Sequence, residues 1–153
     1  MNAMNELERL DAIESIRQLK ARYYRCLDTK DWAGLETVFA PDVYADMREA
    51  VEDYDPAATI TGAHSFAQSI KNAVEGLDTV HHGHTPEIEI TSPTAARGIW
   101  AMEDKLWKQK NSTSTLPFDF LHGYGHYHET YEKVSGHWLI KTTKLTRLRV
   151  DLA

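Results

Sequence analysis

Cysteine is nearly missing from this 153-residue chain. Cys26 stands alone, which excludes an internal disulfide and any cysteine-rich zinc site and fits a reducing compartment. Positive charge is also in deficit: 17 Lys and Arg face 23 Asp and Glu, a formal net charge of −6. Nucleic acid or an anionic membrane surface would select a basic stripe, so neither is expected as a partner. Long apolar runs are absent, and the opening MNAMNELERLDAIESIRQ is acidic and broken by charge. It suits neither a membrane span nor a secretory leader, and the chain is expected to be cytoplasmic. There is no glycine-rich phosphate loop, no serine-centred nucleophile elbow and no P-loop pattern. Repeats and low-complexity linkers are missing as well. What remains is 42% hydrophobic and 26% charged, too apolar for disorder and long enough for one substantial core, so residues 1–153 are read as a single domain.

The first half of the chain has helical periodicity. Leu7, Leu10, Ile13, Ile16, Leu19, Tyr23 and Leu27 recur every three or four residues, which predicts one long amphipathic helix from Asn5. The stretch DTKDW ends it, and Asp31 is placed to cap a short second helix carrying Trp32, Leu35, Val38 and Phe39. APDVYADM reads as a short strand, 48–61 as an acidic loop, and TGAHSFAQSIKNAVEGL as a third helix with Phe66 and Ile70 on its apolar side. After Leu77 the pattern changes to four strand-like runs, 80–91, 95–109, 119–134 and 137–151, joined by TSPT, QKNSTSTLP and VSGH. Helices followed by an antiparallel meander is the α+β pattern, with helices covering one face of a curved sheet. The last run alternates from Lys141 onward and sets Leu145, Leu148 and Val150 among basic neighbours; its phase slips once near Arg147, which predicts a bulge.

The residues that can carry chemistry are concentrated in a few places. His81, His82 and His84 fall within four positions at the start of a strand, and imidazole is a costly way to be merely polar there. Strict alternation puts His82 and His84 on the side of Ile88 and Ile90, but Gly83 or Pro86 can host a bulge that reverses the phase. Asp28 lies in the last turn of the first helix, where outward carbonyls disfavour a carboxylate by about 0.3–1 kcal/mol. On a helical wheel Tyr24 is its nearest tyrosine, while Tyr23 is closer to the centre of the stripe. Asp104 shares a strand face with Trp100, Met102 and Leu106, an unusual setting for an unpaired carboxylate. Finally, HGYGHYHETYE puts His122, Tyr124, His126, His128, Thr130 and Glu132 on one face. His126, His128 and Glu132 are a possible divalent-metal set; a wet strand face or a subunit contact is the plainer reading, and no metal is expected.

Three stretches, IRQLKARYYRCLDTKDWAGLETVFAPDV, HHGHTPEIEI and GYGHYHETYEKVSGHWLIKTTKLTRLRV, resemble the SnoaL-like branch of the nuclear-transport-factor-two-like superfamily. The resemblance spans nearly the whole chain. Its nearest points of comparison are scytalone dehydratase, bile-acid dehydratase and hexachlorocyclohexane dehydrochlorinase type enzymes. It implies a cystatin-like α+β cone, in which N-terminal helices pack into a strongly curved, mostly antiparallel sheet around an internal pocket. It also implies a catalytic set made of a proton-abstracting His81, its partner Asp28, and the accessory Tyr23 and Asp104. The pocket wall is then expected from Tyr24, Phe39, Tyr44, Phe66, His82, Trp100, Met102 and His126, with an apolar cyclic or polycyclic small molecule as substrate. Dehydration, dehydrohalogenation or isomerisation of this kind needs no cofactor. Relatives of this type form homotrimers or homodimers, and the histidine-rich strand would be a suitable contact. The alternative is a non-catalytic binding or structural subunit on the same fold, because fold alone does not fix function.

Overall fold

A computed structural model describes residues 4–50 and 53–153. Helix α1 spans Glu6–Asp28 and is started by a capping box: the Asn5 side chain accepts from the Glu8 N–H at 2.9 Å, and Glu8 accepts from the Asn5 N–H at 2.8 Å. Its buried stripe runs through Ala12, Ile16, Leu19, Lys20, Tyr23, Cys26 and Leu27. Leu7 and Leu10, expected on that stripe, are 76% and 52% exposed; the helical period continues there, but no described residue covers its first turns. Helix α2, Trp32–Glu36, is capped by Asp31 through the Gly34 N–H at 2.9 Å. It ends before Val38 and Phe39, which the sequence reading had placed on it; Phe39 instead opens β1, Phe39–Asp46. A short strand β2, Thr59–Thr61, lies inside the expected acidic loop, and α3 spans Ala63–Ala73.

The remaining strands are β3 (Leu77–Gly83), β4 (Glu87–Ser92), β5 (Ala95–Lys108), β6 (Phe120–Val134) and β7 (His137–Leu152). They form one open sheet in the order β2-β1-β7-β6-β5-β3, with β4 pairing further along β5. All pairings are antiparallel except β1 with β7. The three helices lie on one face of this sheet, and the core between them is built from residues such as Ile16, Leu19, Phe39, Val43, Phe66, Trp100, Tyr127, Tyr131 and Ile140. This is the expected α+β architecture.

Two irregularities set the site. The run expected as one strand at 80–91 is two, because His84, Thr85 and Pro86 interrupt it. The interruption reverses the phase, so His81 shares the inner face with Ile88 and Ile90, and His82 points out. In β7, Tyr124 pairs with Arg149 while Gly125 pairs with Arg147. The extra residue is Leu148, 74% exposed. The bulge expected near Arg147 is therefore present: Arg147 stays in phase with the inward Leu145, and beyond it the phase reverses, so that Arg149 points out and Val150 stands opposite Gly123.

Candidate active site

Asp28 and His81 meet where the end of α1 crosses β3. The Asp28 carboxylate accepts three hydrogen bonds: from the His81 ring at Nδ1 (2.7 Å), from the His81 backbone N–H (2.8 Å) and from the Thr79 hydroxyl (2.9 Å). Lys30 donates to the same Thr79 hydroxyl at 2.8 Å. A carboxylate oxygen accepts, so the contact assigns the proton to Nδ1, and in the neutral ring it is Nε2 that presents its lone pair. These contacts explain a carboxylate at a helix C-terminus. The strand N–H and hydroxyl supply the positive dipoles that the helix end withholds.

On the other side of the ring stands Asp104, the cross-strand partner of His81. Its Oδ2 lies 4.0 Å from His81 Nε2, beyond hydrogen-bond reach. Asp104 is engaged elsewhere: Arg147 grips it with two parallel bonds of 2.7 and 2.9 Å, and the Arg147 Nε–H donates to the Ala50 carbonyl at 2.7 Å. Burial opposes the charge on Arg147, yet the Asp104 carboxylate outweighs it and holds the guanidinium above its ordinary pKa. A buried carboxylate needs such a partner. The pair fits because β6 has Gly123 opposite Asp104; a Cβ there would overlap both the carboxylate and the guanidinium. His81 and Asp104 are only 8% and 4% exposed.

Tyr23 is buried with its ring edge-on to Tyr24, Phe39 and Tyr127. Burial raises its phenol well above the usual range, and that of Tyr24 as well, so both are neutral proton donors at physiological pH. Among the expected wall residues, Phe39 and Phe66 pack together with ring centres 4.9 Å apart, and Trp100 and Met102 lie on the inner face of β5. Met102 Sδ touches Arg147 at 3.8 Å. Tyr44, His82 and His126 are corrected: they lie on the outer face, because their neighbours Val43 and Ala45, His81, and Tyr127 are the ones that turn in. His126 and His128 share that outer face with ring centres 6.2 Å apart, and Glu132 pairs with Lys141 at 3.3 Å. Among the described residues no three His, Cys, Asp or Glu are grouped as metal ligands, so that alternative set is not assembled.

Two features escaped the sequence reading. The first is Arg147, where the sequence shows only a phase slip; a guanidinium at a bulge, together with a lone apolar-face Asp on another strand, is the signal it carries. The second is a buried ion pair, Lys20 with Glu129, at 2.5 Å. Glu129 also accepts from Tyr131 (2.7 Å) and Thr143 (3.0 Å), and Tyr131 accepts from the Trp100 indole N–H (2.8 Å). The ammonium sits over the rings of Tyr127, Tyr23 and Tyr24 at 3.7, 4.2 and 5.1 Å. Burial draws Lys20 below its ordinary pKa, against the opposing pull of Glu129. Its place between Ile16 and Tyr23 on the apolar stripe was visible in the sequence.

A fold of helices laid into an open curved sheet, with a histidine–carboxylate pair at its inner face, defines the class, and the family comparison gives it a name. Residues 8–144 match the SnoaL-like domain, and the chain belongs to that family. It is similar over 144 residues, at 22% identity, to the protein named "Probable cyclase FGR4" of Gibberella zeae; the match covers 90% of this chain and 92% of that one. A hexachlorocyclohexane dehydrochlorinase (LinA) Type2 structure superposes with a TM-score of 0.79 at 16% identity, covering 97% of this chain and 93% of that one. The structure named "Putative Scytalone Dehydratase" from Novosphingobium aromaticivorans superposes with a TM-score of 0.77 at 21% identity, covering 95% and 90%. Likenesses at these identities establish the shared fold.

Proposed function

We propose that this protein is a cofactor-independent lyase or isomerase that removes a proton from carbon in an apolar cyclic or polycyclic small molecule. The observation that carries the reading is the Nδ1–Asp28 hydrogen bond of 2.7 Å, which leaves Nε2 as a base and stabilises the imidazolium as it forms. A base held in this way contributes about 10²–10⁴-fold. The names of its relatives, a dehydrochlorinase, a scytalone dehydratase and a cyclase, are in keeping with that class.

In the step envisaged, Nε2 takes the proton and the C–H electron pair moves into a new double bond or an enolate. In an elimination the leaving group departs with its own bonding pair. Asp104 is kept 4.0 Å from Nε2 by Arg147, so it neither takes the ring's proton acceptor site nor adds an unbalanced charge beside it. The guanidinium and the neutral Tyr23 hydroxyl are the groups suited to a departing anion or a developing oxyanion. Trp100, Met102, Phe39 and Phe66 supply the apolar surroundings.

The reading is tested on a panel of cyclic β-hydroxy ketones, halocycloalkanes and cyclic ketones in D₂O. Elimination and α-proton exchange are followed by NMR. Wild type is expected to act on at least one member, with His81→Ala about 10³-fold slower and Asp28→Asn about 10²-fold slower. Full activity in both variants would show the base to be elsewhere.

A further inference from the structure

Helix α1 and strand β3 touch again one rung beyond the Asp28–His81 contact. Tyr24 lies one helical turn before Asp28, and Gly83 lies two residues past His81 on the same strand face. A Cβ at Gly83 would run into the Tyr24 ring and hydroxyl, so the tyrosine fits there only because residue 83 has no side chain. The Tyr24 hydroxyl is buried at this rung and has no hydrogen-bond partner among the described residues. Such an orphan is uncommon in a folded protein and points to a missing acceptor.

Immediately outside, between α1 and the 84–86 interruption, a groove of about 530 Å³ opens, within the range of small-molecule sites. Its walls bring Tyr24 and Gly83 together with Trp100, Pro86, Arg17 and the Glu14 carboxylate. The indole N–H of Trp100 is already given to Tyr131, so what Trp100 can offer the groove is apolar ring. Arg17 has no ion-pair partner among the described residues, and the carboxylate nearest it along the helix, Glu14, is engaged by Gln18 at 2.7 Å. Between the Arg17 guanidinium and the Tyr24 phenol lie the Trp100 and Pro86 rings in an otherwise polar wall. With the single carboxylate, Glu14, already accepting from Gln18, the donors left over at Arg17 and Tyr24 favour a ligand that carries an acceptor at each end.

We propose that this groove is a binding site for a small cyclic carboxylate that carries a second oxygen at its far end. The carboxylate pairs with Arg17, the ring lies against Trp100 and Pro86, and the distal oxygen accepts from Tyr24. The site adjoins the Asp28–His81 pair, but the proposal does not require His81 to be a base.

Two probes separate the contacts: 6-hydroxy-2-naphthoate, which has both groups, and 2-naphthoate, which lacks the distal oxygen. Isothermal titration calorimetry of the whole protein is expected to show saturable binding of one equivalent of the first probe. Arg17→Gln, an exposed change that leaves the fold intact, should weaken both probes about fivefold or more. Tyr24→Phe should weaken the hydroxylated probe by a similar factor and leave 2-naphthoate unchanged. No saturation at millimolar concentration, or equal affinity in Arg17→Gln and wild type, overturns the proposal. Weakening by His81→Ala without weakening by Arg17→Gln also overturns it: that result places the probe at the dyad and leaves the proposed chemistry standing.

Discussion

The strands that hold His81 and Asp104 hold a second histidine–carboxylate pair one residue away, on the opposite face. His81 pairs across the ladder with Asp104, and His82 pairs with Glu103. Inside, each group has a fixed partner set: Asp28 for the imidazole, Arg147 for the carboxylate. Outside, Glu103 is approached by His122 at 2.9 Å, His82 at 3.5 Å and His84 at 3.8 Å, with Tyr124 hydrogen-bonded to His122 at 3.0 Å. The residue types are alike and the backbone geometry is shared. What differs most is water at His82 and His84, whose side chains are 59% and 58% exposed against 7% for His81 and 5% for Asp104; Glu103 and His122 are half-buried. Pairs open to water contribute little and can rearrange, while buried ones cannot lose a partner without a large penalty.

That contrast predicts where substitutions are felt. The largest effect is expected from Arg147→Met, which leaves Asp104 buried and unpaired and should cost about 3–5 kcal/mol. It is read from the urea midpoint at pH 7; a loss below about 1 kcal/mol would show that the inner carboxylate does not depend on the guanidinium. Gly123→Ala forces the Asp104–Arg147 pair to move and should cost about 1–3 kcal/mol; Gly123 is not at positive φ, so the loss in the urea midpoint reports that clash and no backbone strain. Asp28→Asn keeps the shape but weakens three bonds to one carboxylate and should cost about 1–2 kcal/mol. Its His81 ring should lose the fixed Nδ1–H tautomer in ¹⁵N spectra. Retention of that tautomer would break the link between the two residues.

The smallest effect belongs to the outer pair. Glu103 is held below its ordinary pKa chiefly by the His122 hydrogen bond, with burial opposing. A carboxylate whose pKa falls on folding adds stability above its unfolded value and loses it as the pH drops through the folded one. Glu103→Gln is therefore expected to cost under about 1 kcal/mol at neutral pH, with the difference fading well below the ordinary carboxylate value of 4.5. An outer substitution as costly as Arg147→Met would erase the distinction drawn between the two faces.

Much of the fold was legible because helical and strand periods are local. The three helices, the Asp31 cap and the strand sequence from Leu77 onward follow from apolar spacing and turn chemistry. The site was legible only in part. Alternation carried through Gly83 and Pro86 favoured His82, and the three-residue break between β3 and β4 is what turned His81 inward. Family resemblance chose His81 for a reason unrelated to periodicity. Tyr44 and His126 are not told apart from wall residues by their sequence, because an aromatic on a strand has two faces available and its own identity does not say which is wet.

By itself, the sequence determined the α+β order of elements and the apolar stripe of α1, since each depends on neighbours a few residues away, and its single cysteine excluded an internal disulfide. Only the tertiary structure decided which histidine meets Asp28, that Arg147 neutralises Asp104, and that Lys20 and Glu129 pair inside the core. Those outcomes join residues 53, 43 and 109 positions apart. Burial makes them binding choices, because a charge removed from water must find its partner wherever the chain brings one.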